Sequence, residues 1–540
     1  MTVTEERPEA TTEAAVAAAP VPDTGGLAGL LGTGDHKTIG RLYIGTSLVF
    51  FLLAAVAGGL VSAERIDLDR LDVVGKDSFQ QVFTLHSVSA LFLFLVPMLL
   101  GLAIVLVPLQ VGASTIAFPR AAAASFWGFV VSGGILIAAY GINGGPFGGD
   151  ANGVDLFLLS FLGVLASLLL ATVCVVTTVL TLRTTGMTLD RVPLYSWSML
   201  VAGSIWLLSL PVLAAGAVLL YVDIHYGVEL FGGRNDIYGV MLWTFQQPQL
   251  YAFAVPALGI VADVVPVFAR TRLGVRPRQA TMVAIGLTGA LGFGAWAQRW
   301  IAPHVTDQAL YVIVAFAAVL PFLVIAGVVA DTLRRGRPSF RSPLVFAVAA
   351  LLMLLAGAAA GATSAIDQLD LLLPDTTWTS AQAHYILLGV AIAAIGGAHY
   401  WAPKLFGREL REGSGILCAL MLLVGTVTLA VPDLISGALD QLRALDQVSG
   451  VSVRDRVETL NLVSFVGGIV VALGVLLFLV NLVGSIVTRR EPVGDDPWGG
   501  HTLEWATASP PPPGNFTAAP SVTSPEPLLD AAEAIDEVPA

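Results

Sequence analysis

The chain has 540 residues, 56% of them hydrophobic and only 12% charged, and its mean hydropathy is +0.80. That balance excludes an ordinary soluble protein, and a formal charge of −12 makes nucleic acid a poor partner. The charge sits at the two ends: residues 1–34 hold five acids against Arg7, and residues 489–540 hold nine against Arg489 and Arg490, so the body between them is near neutral.

Residues 1–34 are rich in Ala, Pro and Glu and lack the basic-then-apolar order of a cleaved signal peptide, so they read as a disordered acidic tail. From 35 to 488, apolar blocks such as Leu42–Val61 and Leu462–Leu482 alternate with short polar breaks. Each block is long enough to cross a hydrocarbon core of roughly 30 Å as a helix. The breaks predict spans near 41–62, 82–109, 122–142, 155–182, 196–221, 239–268, 280–302, 308–331, 343–363, 380–402, 415–437 and 461–487. The expected fold is therefore an all-α integral membrane protein of twelve transmembrane helices, in contact with membrane lipid, with both termini on one side.

Lys and Arg in the connecting segments set the orientation. The terminal side carries eighteen, from Lys37 and Arg41 to Arg489 and Arg490, and the opposite side seven, including Arg65, Arg70, Lys76 and Arg443. Both termini are thus expected in the cytoplasm, with the body in the plasma (inner) membrane. Residues 489–540 form an acidic, Pro-rich cytoplasmic tail, expected to be disordered past Phe516 and open to docking. Cys174 and Cys418 lie in apolar runs and read as small packing residues.

Seven histidines carry most of the chemical information. His36 and His501 fall in the polar ends, and His225 and His304 in or beside outer loops, where solvated roles are expected. His399 falls at the terminal-side end of its span, where an imidazole is cheap. His86, in Phe83–Thr84–Leu85–His86–Ser87–Val88, and His384, in Ala381–Gln382–Ala383–His384–Tyr385, lie inside spans about one turn below the outer boundary. An ionisable group within a span is costly and points to function. Two imidazoles at one depth on different helices suit a six-coordinate haem iron, which takes nitrogen donors on both faces of the macrocycle. They also suit two unrelated polar anchors near an interface, and spacing alone does not separate the readings.

At these residues the chain resembles subunit I of the haem–copper oxidases, the aa3-type cytochrome c oxidases in particular. The likeness runs from about residue 35 to about 516 through His36–Lys37–Thr38–Ile39–Gly40, Val107–Pro108–Leu109–Gln110–Val111–Gly112, Ala117–Phe118–Pro119–Arg120, Ser125–Phe126–Trp127, Leu207–Ala214 and Tyr400–Trp401–Ala402–Pro403–Lys404. The tail segments Asp496–Pro497–Trp498, Thr502–Thr507 and Pro510–Pro513 share it. The resemblance implies that His86 and His384 are the axial ligands of a low-spin haem. It places Arg443 near the haem propionates, which its charge would suit, although a solvated loop arginine fits the position nearly as well.

The family's pattern then breaks. Its Gly-His-Pro-Glu-Val-Tyr segment reads Gln246–Gln247–Pro248–Gln249–Leu250–Tyr251, so the copper histidine is Gln247. The adjacent His-His pair falls on Gln298 and Arg299, and the high-spin haem ligand on Gln382. Carboxamides are poor copper ligands and Arg299 brings a fixed positive charge, so copper is not expected. Residues of the proton routes are replaced by Gln249, Thr115, Ile104, Phe322 and Ile325. The arginine that would face a haem A formyl group falls on Ser62, leaving haem A and haem B both open. Of an outer metal site Asp375 is kept, but the preceding histidine is Pro374. Asp263 could snorkel or pair with Arg270.

Three readings follow. One is a membrane haem protein with a single low-spin haem, serving electron transfer or assembly beside oxidase-type subunits or other respiratory electron-transfer proteins. The second is a working terminal oxidase subunit that reduces O2 and transports protons with substituted ligands. The third is a structural subunit without cofactor.

Overall fold

A computed structural model of the chain describes residues 26–66, 73–74, 76–228, 234–301, 308–364, 373, 376–441, 451–488 and 493–536. It divides into a short unit ending at Thr33, whose described part is the helix Leu27–Leu31, and a large unit from Gly34 onward. The large unit is helical; among the described residues its only β pairing is an isolated bridge between Thr185 and Ser521.

Eleven helices among the described residues are long and apolar enough to cross a membrane. In chain order they are His36–Glu64, Ser78–Gln110, Pro119–Gly141, Ala151–Thr181, Leu194–Tyr226, Leu250–Ala269, Val312–Arg335, Ser342–Ser364, Thr377–Tyr400, Glu412–Ala438 and Val457–Val487. The seventh expected span corresponds to the helix Val275–Ile301, which falls outside that set and carries Arg276, Arg278, Gln298 and Arg299. The apolar run sets each helix, and short polar side chains start several of them. Asp35 accepts from Lys37 N at 3.3 Å, Asp150 from Gly153 N at 2.7 Å and Thr376 from Trp378 N at 3.3 Å.

Burial separates central helices from lipid-facing ones. The most apolar windows of Ser78–Gln110 and Leu250–Ala269 are 94% and 100% buried, against 33% for Pro119–Gly141 and Leu194–Tyr226, so the first two form the centre. Side chains such as Val49, Val56, Leu159 and Leu208 remain exposed on the outer helices, as a lipid-facing surface requires. The central helix Ser78–Gln110 contains a π-helical stretch, Ser89–Leu95, three residues past His86. Extra residues in such a turn re-aim the face of the helix, and they recur at functional sites.

The end of the body that carries Gly34 also carries the tail, and three expectations fail there. Residues 517–536 are ordered: Val522 N donates to Thr185 O at 3.1 Å, Val522 is buried, and Pro527–Asp536 is a helix. His36 is buried, not solvated, with Nδ1 donating to Ile104 O at 2.9 Å. His501 is buried too, its Nδ1 3.5 Å from Glu526 Oε1. His399 lies within the packed interior between the rings of Phe346 and Phe478. Low aromatic content is a poor guide to this tail, because a few scattered apolar side chains, Val522 and Leu528 among them, pack against the body alongside its polar anchors.

Asp263 does not pair with Arg270. Its carboxylate accepts Leu194 N and Tyr195 N, each at 3.0 Å, which satisfies donors at the start of the helix Leu194–Tyr226. Gln110 Nε2 donates to Asp263 Oδ2 at 3.2 Å and to Glu504 Oε1 at 3.0 Å, tying this cap to the tail.

A candidate bis-histidine site

At the opposite end of the body, the helix Lys76–Val88 brings His86 against the first span. His86 Nδ1 lies 2.8 Å from Ala54 O. With its proton given to that carbonyl, Nδ1 is the N–H nitrogen and Nε2 keeps the lone pair. Gly58, one turn further along the first span, permits this approach: a Cβ at 58 would stand 2.6 Å from His86 Cε1 and 2.7 Å from Nδ1.

His384 lies in the tenth span, Thr377–Tyr400, two turns from the Thr376 cap. Its Nδ1 is buried without a hydrogen-bond partner and faces Asp433 Oδ2 at 3.8 Å. Asp433 belongs to the span Glu412–Ala438 and follows Pro432. Ser464 Oγ donates to its Oδ1 at 2.8 Å, and Thr377 Oγ1 donates to its backbone carbonyl at 2.9 Å. Arg65, which ends the first span, exerts its charge on His86, His384 and Asp433, and His86 in turn acts on His384.

The helix of His384 packs against the π-helical stretch that follows His86, and each Nδ1 faces an oxygen. A ligating imidazole nearly always gives its second nitrogen to a carbonyl, carboxylate or water; His86 makes such a contact, whereas His384 only faces a carboxylate at 3.8 Å. Among the described residues no group of three His, Cys, Asp or Glu converges to hold a metal ion.

Arg443, His304, Pro374 and Asp375 lie outside the described residues, as do the side chains of Gln246, Gln247, Gln249, Gln298 and Arg299. Gln382 and Tyr251 are described and meet across Gly361. A Cβ there would stand 2.3 Å from Gln382 Nε2 and 2.5 Å from Tyr251 Oη.

Asp433, Ser464, Gly58 and the Ala54 carbonyl were not found from sequence. Asp433 carried a usable signal, since it is an acid inside an apolar span like the two histidines. The other three are ordinary residues whose importance lies in their position.

Residues 38–470 match the family described as Cytochrome C and Quinol oxidase polypeptide I. The putative cytochrome c oxidase subunit 1-beta of Streptomyces avermitilis is 31% identical over 522 residues, covering 93% of this chain and 91% of its own. That of Streptomyces coelicolor is 32% identical over 92% of this chain and 89% of its own. Cytochrome c oxidase subunit 1 of Bacillus subtilis is 30% identical over 92% of this chain and 82% of its own. Among solved structures, a heme-copper terminal oxidase dimer superposes with a TM-score of 0.69 at 15% identity, covering 85% of each chain, a likeness of fold.

Proposed function

This chain belongs to the Cytochrome C and Quinol oxidase polypeptide I family, and on that premise we propose that it holds one low-spin haem, of type A or B, between His86 and His384. A haem bound there supplies one-electron transfer. The observation that supports the reading is that the helix of His384 packs beside the π-helical stretch after His86, with His86 Nδ1 2.8 Å from a carbonyl and His384 Nδ1 facing a carboxylate.

The chain's own residues do the rest. His86 and His384 present Nε2 lone pairs, and the Ala54 carbonyl fixes the orientation of the His86 ring. Gly58 leaves room for His86 beside the first span. Arg443 belongs near the propionates on this reading. Residues 35–488 are the membrane body and both termini face the cytoplasm of a plasma-membrane protein, with 1–34 and 489–540 as acidic ends. Electrons arrive from and leave to oxidase-type subunits or other respiratory electron-transfer proteins.

Four imidazole positions read Gln247, Gln298, Arg299 and Gln382, and the residues of the proton routes are replaced as well. We take the copper site and dioxygen chemistry to be lost: one substituted ligand can be rescued, but four together with the proton carriers leave nothing to bind copper or deliver protons. The relatives' names favour a working oxidase as the second reading.

The reduced optical spectrum, pyridine haemochrome quantification and a CO difference spectrum of the purified protein test this directly. One haem per chain without CO response, lost in His86→Ala and His384→Ala, is the expected result. Copper and a CO-reactive second haem would restore the oxidase, and an absence of haem would leave a structural subunit.

A further inference from the structure

The two imidazoles are supported unequally. His86 Nδ1 meets a neutral backbone carbonyl at 2.8 Å, whereas His384 Nδ1 has no hydrogen-bond partner and faces a carboxylate oxygen of Asp433 at 3.8 Å. One water, or a small side-chain adjustment, closes that separation.

Asp433 is only 4% exposed inside an apolar span, where a carboxylate is costly to keep. Helix packing does not account for its acid. Thr377 uses the backbone carbonyl of residue 433, and Ser464 Oγ has a second acceptor, Leu429 O at 3.0 Å. What the carboxylate adds is a negative charge beside His384, offset in part by Arg65.

We propose that Asp433 is a positioning residue that sets the potential of the centre. Its carboxylate takes the Nδ1–H of His384, directly or through one water, and the proton stays between them. The proposal rests on the bis-histidine haem reading above. A carboxylate-backed imidazole is the more basic ligand, so it stabilises ferric over ferrous iron. Reduction adds one electron at the iron, with no bond made or broken and no proton exchanged, so the effect falls on the midpoint potential. The first-span side, backed by a neutral carbonyl, exerts no such pull.

The test uses the full-length protein with Asp433→Asn, nearly isosteric and uncharged, and Asp433→Glu, which keeps the charge. Haem per chain is read by pyridine haemochrome, and the midpoint by potentiometric titration of the reduced band. The expected result is full haem in both variants, a midpoint for Asp433→Glu close to wild type, and a raised midpoint for Asp433→Asn. A tenfold rise in the ferrous-to-ferric ratio at fixed ambient potential is about 59 mV for one electron.

An unchanged midpoint in haem-replete Asp433→Asn overturns the proposal, and so does an equal shift in both variants, which would mark a structural role. Loss of haem from Asp433→Asn alone, with Asp433→Glu loaded, supports the positioning role; loss from both overturns it. A wild-type protein without haem sinks the underlying reading instead, so the two failures are distinguishable.

Discussion

Asn515 and His36 stand 479 positions apart in sequence, yet their side chains hydrogen-bond at 3.0 Å. His36 Nδ1 donates to Ile104 O, so its Nε2 accepts from Asn515 Nδ2. The same Nδ2 donates to Ala113 O at 2.9 Å, and Lys37 Nζ donates to Asn515 Oδ1 at 3.3 Å. One tail amide thus ties together the first span and the segment following the second.

Replacing Asn515 should loosen the tail. Its φ of +64° is left-handed, a conformation that Asn and Gly tolerate, so Asn515→Gly removes the hydrogen bonds without adding backbone strain. The buried His36 Nε2 would be left unpaired, at a cost of about 1–3 kcal/mol. Limited proteolysis should show new cleavage between 493 and 536, together with a lower Tm. Unchanged protection would show that other contacts hold the tail.

Lys404 gives the tail a dependence on pH. It lies in the short helix Ala402–Phe406, and its ammonium donates to Asp495 O at 2.8 Å and to Thr507 O. Burial pushes its pKa down to about 8, against the pull of Glu504, Asp495 and Asp496. Between that value and the ordinary 10.5 the unfolded chain holds a proton that the native one has lost, so stability from this group rises with pH across the window and is flat below it. The difference in Tm between wild type and Lys404→Met should change from pH 8 to pH 10 and stay constant from pH 6 to pH 7.5. A constant difference throughout would mean that Lys404 titrates normally.

The last helix, Pro527–Asp536, is held by a different kind of contact. Arg272 reaches the partly exposed Asp530 at 2.5 Å and the exposed Glu533 at 2.9 Å. Such pairs contribute about 0.2–1 kcal/mol each and are screened by salt, since the Debye length falls from roughly 8 Å at 0.15 M to roughly 3 Å at 1 M. Hydrogen bonds from Ser524 and Arg272 keep the Asp530 carboxyl below its usual range, so its contribution is present at neutral pH and lost as pH falls through that lowered value. Hydrogen exchange in 527–536 should therefore rise in 1 M salt and in Arg272→Ala while the spans keep their protection. A helix indifferent to both would be held by its apolar side instead.

The spans were legible in sequence because hydropathy alone decides them, and His86 and His384 stood out because imidazoles are rare inside apolar runs. The tail's anchors were not. Asn515, Glu504 and Trp505 act on residues about a hundred to nearly five hundred positions away, a separation that no local pattern encodes. Asp263 looked like a partner for Arg270, since nothing local shows that the helix Leu194–Tyr226 begins beside it. The supports of the two imidazoles divide the same way: Asp433 announces itself as an intramembrane acid, whereas Gly58 and the Ala54 carbonyl are visible only once the first span is packed against His86.

Gly58 and Gly59 offer a matched comparison within one helix. Gly→Ala in a helix interior ordinarily stabilises by up to about 1 kcal/mol. At 59 a Cβ would meet nothing within 4 Å, so Gly59→Ala should be neutral or mildly stabilising and should leave the optical spectrum alone. At 58 the added carbon would stand 2.6 Å from His86 Cε1, and the ring must move away from the Ala54 carbonyl that orients it. Gly58→Ala should therefore leave the Tm within a few degrees of wild type while lowering haem content or broadening the low-spin bands. Identical spectra for the two variants would mean that His86 is free to shift without consequence, and the first span would have no part in aiming it.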